Sequence, residues 1–335
     1  MVAVNWYYIG VLLFYSVCFV HSKDTFNRNK RAVTCDQKFT DIVSGHTACL
    51  SRSSNYISGE FNEADIPTIV NRHNAVRAEV SPSATNMLKM SWDDEIAKIA
   101  QRWAENCEWN HDNRYRRYDF GRYSLGQNLA YHTGSSDWET GMQGWIGEKS
   151  DYDYQINGSP TNAVVGHYTQ MVWATSHKIG CGYAQCNFGH YFVCNYGPSG
   201  NLNGVKPYTS GTTCADCQTC SGGLCDCGDK TCFNDGTLST STCTCSCVDN
   251  ASFYIAEHCG LNCTDIESKE VAYKCKGGYD VSGCGVYSNV PVECPNMCGW
   301  CPAAEYKSTP TSTANYITVS YFYITVSLLL SFIFF

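Results

Sequence analysis

The sequence predicts an α+β protein in which one core-forming domain, residues 65–206, is followed by small disulfide-rich modules. Three observations predict it. Two stretches with apolar residues at helical spacing precede two short runs that alternate or run apolar, so helices and paired strands share one domain. Cysteines are sparse there, four among residues 65–206, and dense from residue 207 onward. A length of 335 residues suffices for one domain of ordinary size plus smaller units.

The elements follow in chain order. Residues 9–20, "IGVLLFYSVCFV", are too short an apolar run to span a bilayer, and His21 and Ser22 follow it. Residues 1–22 are read as a secretory signal peptide, although no Lys or Arg precedes the apolar run. Residues 23–64 form an N-terminal segment with a candidate convertase site, "RNKR" at 28–31. "DIPTIVNRHNAVRAEV" sets Ile66, Ile69, Val70, His73, Val76 and Val80 at helical spacing. "WDDEIAKIAQRWAENC" does the same with Ile96, Ile99, Ala100, Trp103 and Cys107, and Asp93 and Asp94 suit its N-terminal end. Residues 136–150 are a third helical stretch, weakened by Gly141, Gly144 and Gly147. "GCGYAQC" (180–186) and "YFVCNY" (191–196) read as a strand pair.

From residue 207 the composition turns to Gly, Thr and Cys, which cannot bury a core and must be held by its bridges. A Ser/Thr linker (302–316) leads to a hydrophobic tail, 317–335. Small residues, polar spacer and apolar terminus form the pattern of a GPI-attachment signal, with Ser308 or Ser312 as attachment sites. A membrane-anchoring tail helix is the alternative. Removing Cys18 with the signal peptide leaves 22 of the 23 cysteines, an even number that fits an exported disulfide scaffold. Asn157, Asn250 and Asn262 stand in glycosylation sequons, the first weakened by Pro160. The formal charge of −8 argues against nucleic acid as a partner.

Four motifs then carry a family resemblance: "HNAVR" (73–77), "GQNL" (126–129), "GHYTQMVWATS" (166–176) and "YFVCNYGPSGNL" (191–202). In this order they resemble the signatures of the CAP superfamily, which holds cysteine-rich secretory proteins, antigen 5 and pathogenesis-related 1 proteins. "SPSATNMLKMSWDDEIAKIAQRWAENC" (81–107) is similar to the vertebrate and venom secretory branch. The resemblance covers residues 65–206 and implies an α-β-α sandwich. It also implies disulfides Cys107–Cys186 and Cys181–Cys194, whereas a third family bridge finds Leu125 and Gly197 at its two positions. Both halves are missing together, so no orphan thiol results.

The remaining cysteines divide evenly. Cys35 and Cys49 make a local pair. Residues 207–226 resemble the family's hinge, with Cys214–Cys220 and Cys217–Cys225 implied. Cys227, Cys232, Cys243, Cys245, Cys247 and Cys259 leave a six-cysteine unit, 227–262, that looks EGF-like but has fifteen allowed connectivities. Residues 263–301 resemble a ShK toxin-type module, which implies Cys263–Cys301, Cys275–Cys294 and Cys284–Cys298.

The resemblance places His111, Gln127, Glu148 and His167 in one cleft. From the residues alone, a His–Glu–His hydrogen-bond network that fixes helix packing accounts for them. The resemblance adds a site for Zn²⁺ or another divalent cation on His111 and His167, with Glu148 and Gln127 nearby. Gln127 takes the place of a carboxylate and cannot accept a proton at neutral pH. Glu148 could act as base beside a zinc-bound water, which keeps a zinc-dependent hydrolase or peptidase as the alternative. No Gly-x-Ser-x-Gly elbow or His-Glu-x-x-His helix occurs, and the thiols are expected in bridges.

Relatives that bind sterols or fatty acids point to tyrosine-rich loops at 114–123 and 151–160, hence to Tyr115, Tyr118, Tyr152 and Tyr154. The ShK-type module suggests ion-channel modulation through Lys274 or Lys276 beside Tyr273 or Tyr279. The reading favoured is an exported, cell-surface, multi-module protein that binds an extracellular protein, matrix or lipid ligand without turnover.

Overall fold

The computed structural model describes residues 44–119, 122–247, 254–255 and 257–261, with the isolated positions Cys35, Phe39, Val290 and Cys294. The signal peptide, the basic site at 28–31, Asn250, Asn262, the C-terminal tail and, but for Val290 and Cys294, the ShK-type module lie outside the described residues. Among the described residues no helix is long and apolar enough to cross a membrane.

Helix α1 spans Ile66–Ala78, α2 Asp94–Asn106, α3 Trp138–Gly147 and α4 Gly166–Met171. Asp93 caps α2 by accepting the N–H groups of Glu95 and Ile96, and Cys107 closes that helix in the left-handed conformation at φ 51°. Asp137 caps α3 through the N–H of Thr140. A 3₁₀ turn, Glu148–Ser150, continues α3. The strands are β1 (Tyr56–Ser58), β2 (Ser91–Trp92), β3 (Gly126–His132), β4 (Lys178–Cys186) and β5 (Gly189–Gly197). They pair in the order β1-β4-β5-β3, with β2 parallel to β4. The predicted strand pair is the β4–β5 hairpin, and β3 adds antiparallel to β5 from Gly126↔Tyr196 to His132↔His190.

Alternation along the strands builds the layers. On one face Gly180 and Gly182 let α2 lie against the sheet, because a Cβ at either would strike the backbone of Ala97 or Gln101. On the other face Ile179, Cys181, Phe192 and Tyr196 are buried with Ile69 of α1, Met142 of α3 and Met171 of α4. The result is an α-β-α sandwich. The glycines that weaken α3 as a helix split by role. Gly141 admits the Phe192 ring, whereas Gly144 and Gly147 face open space.

Disulfides join Cys35–Cys49, Cys107–Cys186, Cys181–Cys194, Cys214–Cys220 and Cys217–Cys225. Cys181 and Cys194 are direct register partners, 4.1 Å apart at Cα. The six-cysteine unit, left open by the sequence, is joined Cys227–Cys243, Cys232–Cys245 and Cys247–Cys259. Where the third family bridge is missing, the β3–β5 register continued by one residue sets Leu125 opposite Gly197. Leu125 is buried there, and a Cβ at 197 would meet the Tyr123 ring and Ile96, so aromatic and aliphatic packing fills the bridge's place.

The cysteine-rich region is built of two-residue ribbons: β6 (Cys220–Ser221) with β7 (Leu224–Cys225), β8 (Thr237–Leu238) with β9 (Cys245–Ser246), and β10 (Tyr254–Ile255) with β11 (Gly260–Leu261). It docks on the sandwich through backbone bonds. Cys225 donates to Met87 at 2.8 Å and accepts from Lys89 at 2.9 Å, and Asp216 donates to Thr85 at 3.0 Å. Leu88 packs with Cys225, Cys232 and Leu238. The segment 207–226 is therefore seated on the sandwich along its length.

Candidate functional site

The four sequence motifs meet in one buried hydrogen-bonded chain. His73 Nδ1–H donates to the Ile69 carbonyl at 2.8 Å, so its Nε2 accepts the Tyr196 hydroxyl at 3.0 Å. Asn128 spends both amide protons, one on the Tyr196 oxygen at 3.1 Å and one on the His167 carbonyl at 3.0 Å. Burial holds His73 neutral, with its pKa pushed down to about 4, and the nearby Arg77 adds to that. Arg77 itself makes five hydrogen bonds to the carbonyls of Leu88, Met171, Trp173 and Ala174. Gln170 of the third motif lies where a Cβ on Gly126 of the second would go.

The cleft residues form two pairs. The pairs come from opposite layers and converge on β3, the last strand of the sheet. His111, in the loop after α2, donates Nδ1–H to Gln127 Oε1 at 2.9 Å, and Gln127 Nε2 donates to Asn195 Oδ1 at 3.1 Å. His167, in the first turn of α4, donates Nδ1–H to Glu148 Oε1 at 2.6 Å. Glu148 Oε2 accepts the backbone N–H groups of His167 and Tyr168, each at 2.9 Å. A carboxylate at this helix start is favoured by the exposed N–H groups and the helix dipole. Trp145 stacks against the His167 ring at 6.4 Å. Burial lowers the pKa of His111. Its bond to Gln127 opposes this, while the charges of Arg117 and His167 add to it.

Each imidazole thus has Nδ1 engaged by a protein acceptor, which leaves its Nε2 lone pair for something else. That is the arrangement in which outer-shell acceptors prepare histidines for a metal, so the chemistry of each donor suits a divalent cation. Among the described residues no group of three or more His, Cys, Asp or Glu is placed to hold one. The expected role of Gln127 changes with this geometry. It acts by orienting His111, a task its amide oxygen performs without a charge.

A cavity of 740 Å³ opens beside His111, lined among others by Arg117, Tyr118, Gln127, Gln170 and Asn201. The two tyrosine-rich loops line different cavities. Tyr115 and Tyr118 line this cavity. Tyr152 and Tyr154 line a separate one of 390 Å³ with Ser81, Pro82 and Pro160. Tyr154 is buried, stacks on Tyr208 at 4.8 Å and donates its hydroxyl to the Tyr208 carbonyl at 2.8 Å. Tyr152 donates to Asn157 Oδ1 at 3.0 Å, and Asn157 Nδ2 donates to the Val205 carbonyl at 3.1 Å. These residues bind one loop to another, because a phenol buried against apolar neighbours seeks a hydrogen-bond partner. Asn157, read as a glycan acceptor, has both side-chain atoms engaged.

Sequence reasoning missed Asn195, which fixes Gln127, and Arg117, which is buried against Asp112. The arginines of "RYRRYDFGRY" are the sequence signal for Arg117.

An α-β-α sandwich with a paired-histidine cleft, carrying a disulfide-held extension, defines a class of disulfide-stabilised proteins. The chain belongs to the CAP, cysteine-rich secretory protein family, whose profile matches residues 70–196. It is 33% identical over 304 residues to cysteine-rich venom protein Mr30 of Conus marmoreus, covering 88% of this chain and 98% of that one. It is 43% identical over 169 residues to human cysteine-rich secretory protein 3, covering 48% of this chain and 68% of that one. Among solved structures, the crystal structure of NaASP2 with Zn²⁺ aligns at 29% identity and a TM-score of 0.43, over 52% of this chain and all of that one. Secretory and venom relatives support an extracellular protein with a binding or modulating role.

Proposed function

We propose that this chain is an extracellular binding protein whose cleft takes up a ligand without turning it over, with a divalent cation such as Zn²⁺ held by His111 and His167. The observation that carries the reading is the engagement of Glu148. One of its oxygens holds the His167 ring and the other covers the first turn of α4. A carboxylate committed to three donors is a poor general base, since proton uptake would cost those bonds. Gln127 offers no second base. Bound zinc would supply Lewis-acid polarisation of a ligand oxygen. The chain's own residues would orient the two imidazoles and line the cavity with hydroxyl, amide and guanidinium groups.

The test is direct. Equilibrium dialysis with metal analysis should find one Zn²⁺ per chain, lost in His167→Ala, with no hydrolysis of peptide or ester substrates above the metal-free rate. Zinc-dependent turnover abolished by His167→Ala would overturn the binding reading in favour of a hydrolase.

Sterol or fatty-acid binding is proposed for the cavity lined by Tyr115 and Tyr118, because Tyr154 is committed to packing. Saturable uptake of labelled sterol, reduced by Tyr118→Ala, would support it. The first-to-third, second-to-fourth, fifth-to-sixth pairing of residues 227–262 supports the EGF-like reading. The ShK-type module and the anchor at 317–335 are proposed on sequence alone. Retention on cells after phosphatidylinositol-specific phospholipase treatment would sink the GPI form of that anchor.

A further inference from the structure

The His111–Gln127 pair rests on a chain of buried contacts that begins in the N-terminal segment. Thr47 is 1% exposed and donates its hydroxyl to Asp112 Oδ2 at 2.6 Å. Asp112 Oδ1 accepts from Arg117 Nη1 in a buried ion pair. Arg117 Nε in turn donates to the Leu125 carbonyl at 3.0 Å. Asp112 directly follows His111, and Leu125 stands two residues before Gln127. One carboxylate and one guanidinium therefore join the two backbones that carry the imidazole and its acceptor. Backbone contacts extend the grip of the same segment. Thr47 N–H donates to the Arg116 carbonyl at 2.7 Å. His46 Nδ1 accepts the Ala48 N–H at 3.1 Å, so its Nε2–H donates to the Tyr118 carbonyl at 2.8 Å.

A buried ion pair is secure only when its remaining lone pairs are also satisfied, because desolvation offsets most of the attraction. Burial lowers the Arg117 pKa against the pull of Asp112. The Thr47 hydroxyl is what satisfies the second Asp112 oxygen. Removing it leaves a buried acceptor without its donor, and the loss falls on the residue next to His111.

We propose that Thr47 is a positioning residue for the cleft: through Asp112 and Arg117, the segment 44–50 holds His111 against Gln127. The N-terminal segment then belongs to the site, although no motif of the sequence places it there. This rests on the reading of the cleft as a cation and ligand site.

The test uses the full secreted chain with Thr47→Val and Thr47→Ser. Zn²⁺ alone is titrated by calorimetry, and the His111 ring N–H is followed by ¹⁵N-histidine NMR in the metal-free protein. Melting temperature is recorded as the fold control. The valine chain should bind Zn²⁺ about tenfold more weakly, the scale of one lost hydrogen bond to a charged group. It should also lose the His111 ring N–H signal that the bond to Gln127 protects. The serine chain keeps the hydroxyl and should stay within about twofold of the parent. Should the valine chain fail to fold, Thr47→Ala removes the same donor with less bulk. Unchanged affinity with the His111 signal intact would overturn the proposal, as would equal losses in the valine and serine chains. If the parent chain binds no Zn²⁺, only the cation reading fails. The NMR signal then decides the positioning role: its loss in the valine chain supports the proposal, and its persistence overturns it.

Discussion

Residues 66–197 and 211–261 are held together in different ways. The sandwich buries a continuous core around β4 and β5 and carries two internal disulfides, both tied to β4. The cysteine-rich region has strands of two residues and little apolar volume, yet five disulfides among its described residues. Chain length and composition set the difference. A segment that cannot bury enough apolar area to offset its ordering entropy needs covalent constraint on its unfolded state. The missing third bridge of the sandwich points the same way, since Leu125 and Tyr123 pack where it would stand.

Selective reduction should separate the two regions most visibly. Each bridge contributes about 2–4 kcal/mol, so mild thiol treatment should abolish hydrogen-exchange protection at 214–247 while the amides of β4 and β5 stay protected. Loss of protection in β5 first would refute the contrast. Next in size, Arg77→Ala leaves the carbonyls of four residues without their shared donor and should cost about 4 kcal/mol or more in denaturant unfolding.

Acid sharpens the contrast through His73. Its folded pKa of about 4 lies below the ordinary value of 6.5, so the unfolded chain binds the extra proton. The stabilisation it contributes is complete above 6.5 and is lost as pH falls toward 4, about 3 kcal/mol in all. Urea unfolding of the sandwich between pH 7 and pH 4.5 should show this slope, and Tyr196→Phe should alter it. That variant also removes the hydroxyl joining His73 to Asn128 and should cost about 1–3 kcal/mol at pH 7. The smallest effect is a gain. Gly144 of α3 faces open space, so Gly144→Ala should raise stability by about 0.5–1 kcal/mol, whereas Gly180→Ala should lower it by driving a methyl into α2. A melting temperature that moves the same way in both would contradict the layer packing.

Much of the fold was legible because periodicity is local. Ile69, Val76, Ile96, Ile99 and Trp103 mark their helices from the sequence and are buried in the structure. The cleft was half legible. His111 and His167 came from motifs, but which acceptor holds each ring did not, since Gln127 and Glu148 lie at sequence distances that fix nothing about pairing. The tyrosines show the limit from the other side. Tyr118 and Tyr154 sit in similar loop compositions, yet one lines the cavity and the other is buried against Tyr208.

By itself the sequence determined the export-type cysteine economy, the α+β order of elements, the family motifs and the identity of the two cleft histidines. Those properties reside in composition, period and short spacings, which a linear chain carries explicitly. Only the tertiary structure decided that the four motifs share one hydrogen-bonded chain. The same is true of the commitment of Glu148 to a helix start, and of the reach of Thr47 to the base of His111. Each of these depends on side chains 19 to 123 residues apart, or a side chain and a distant backbone group, coming within hydrogen-bond distance. Such contacts are selected by how the layers pack, because a buried polar group takes whichever partner the packed chain places beside it.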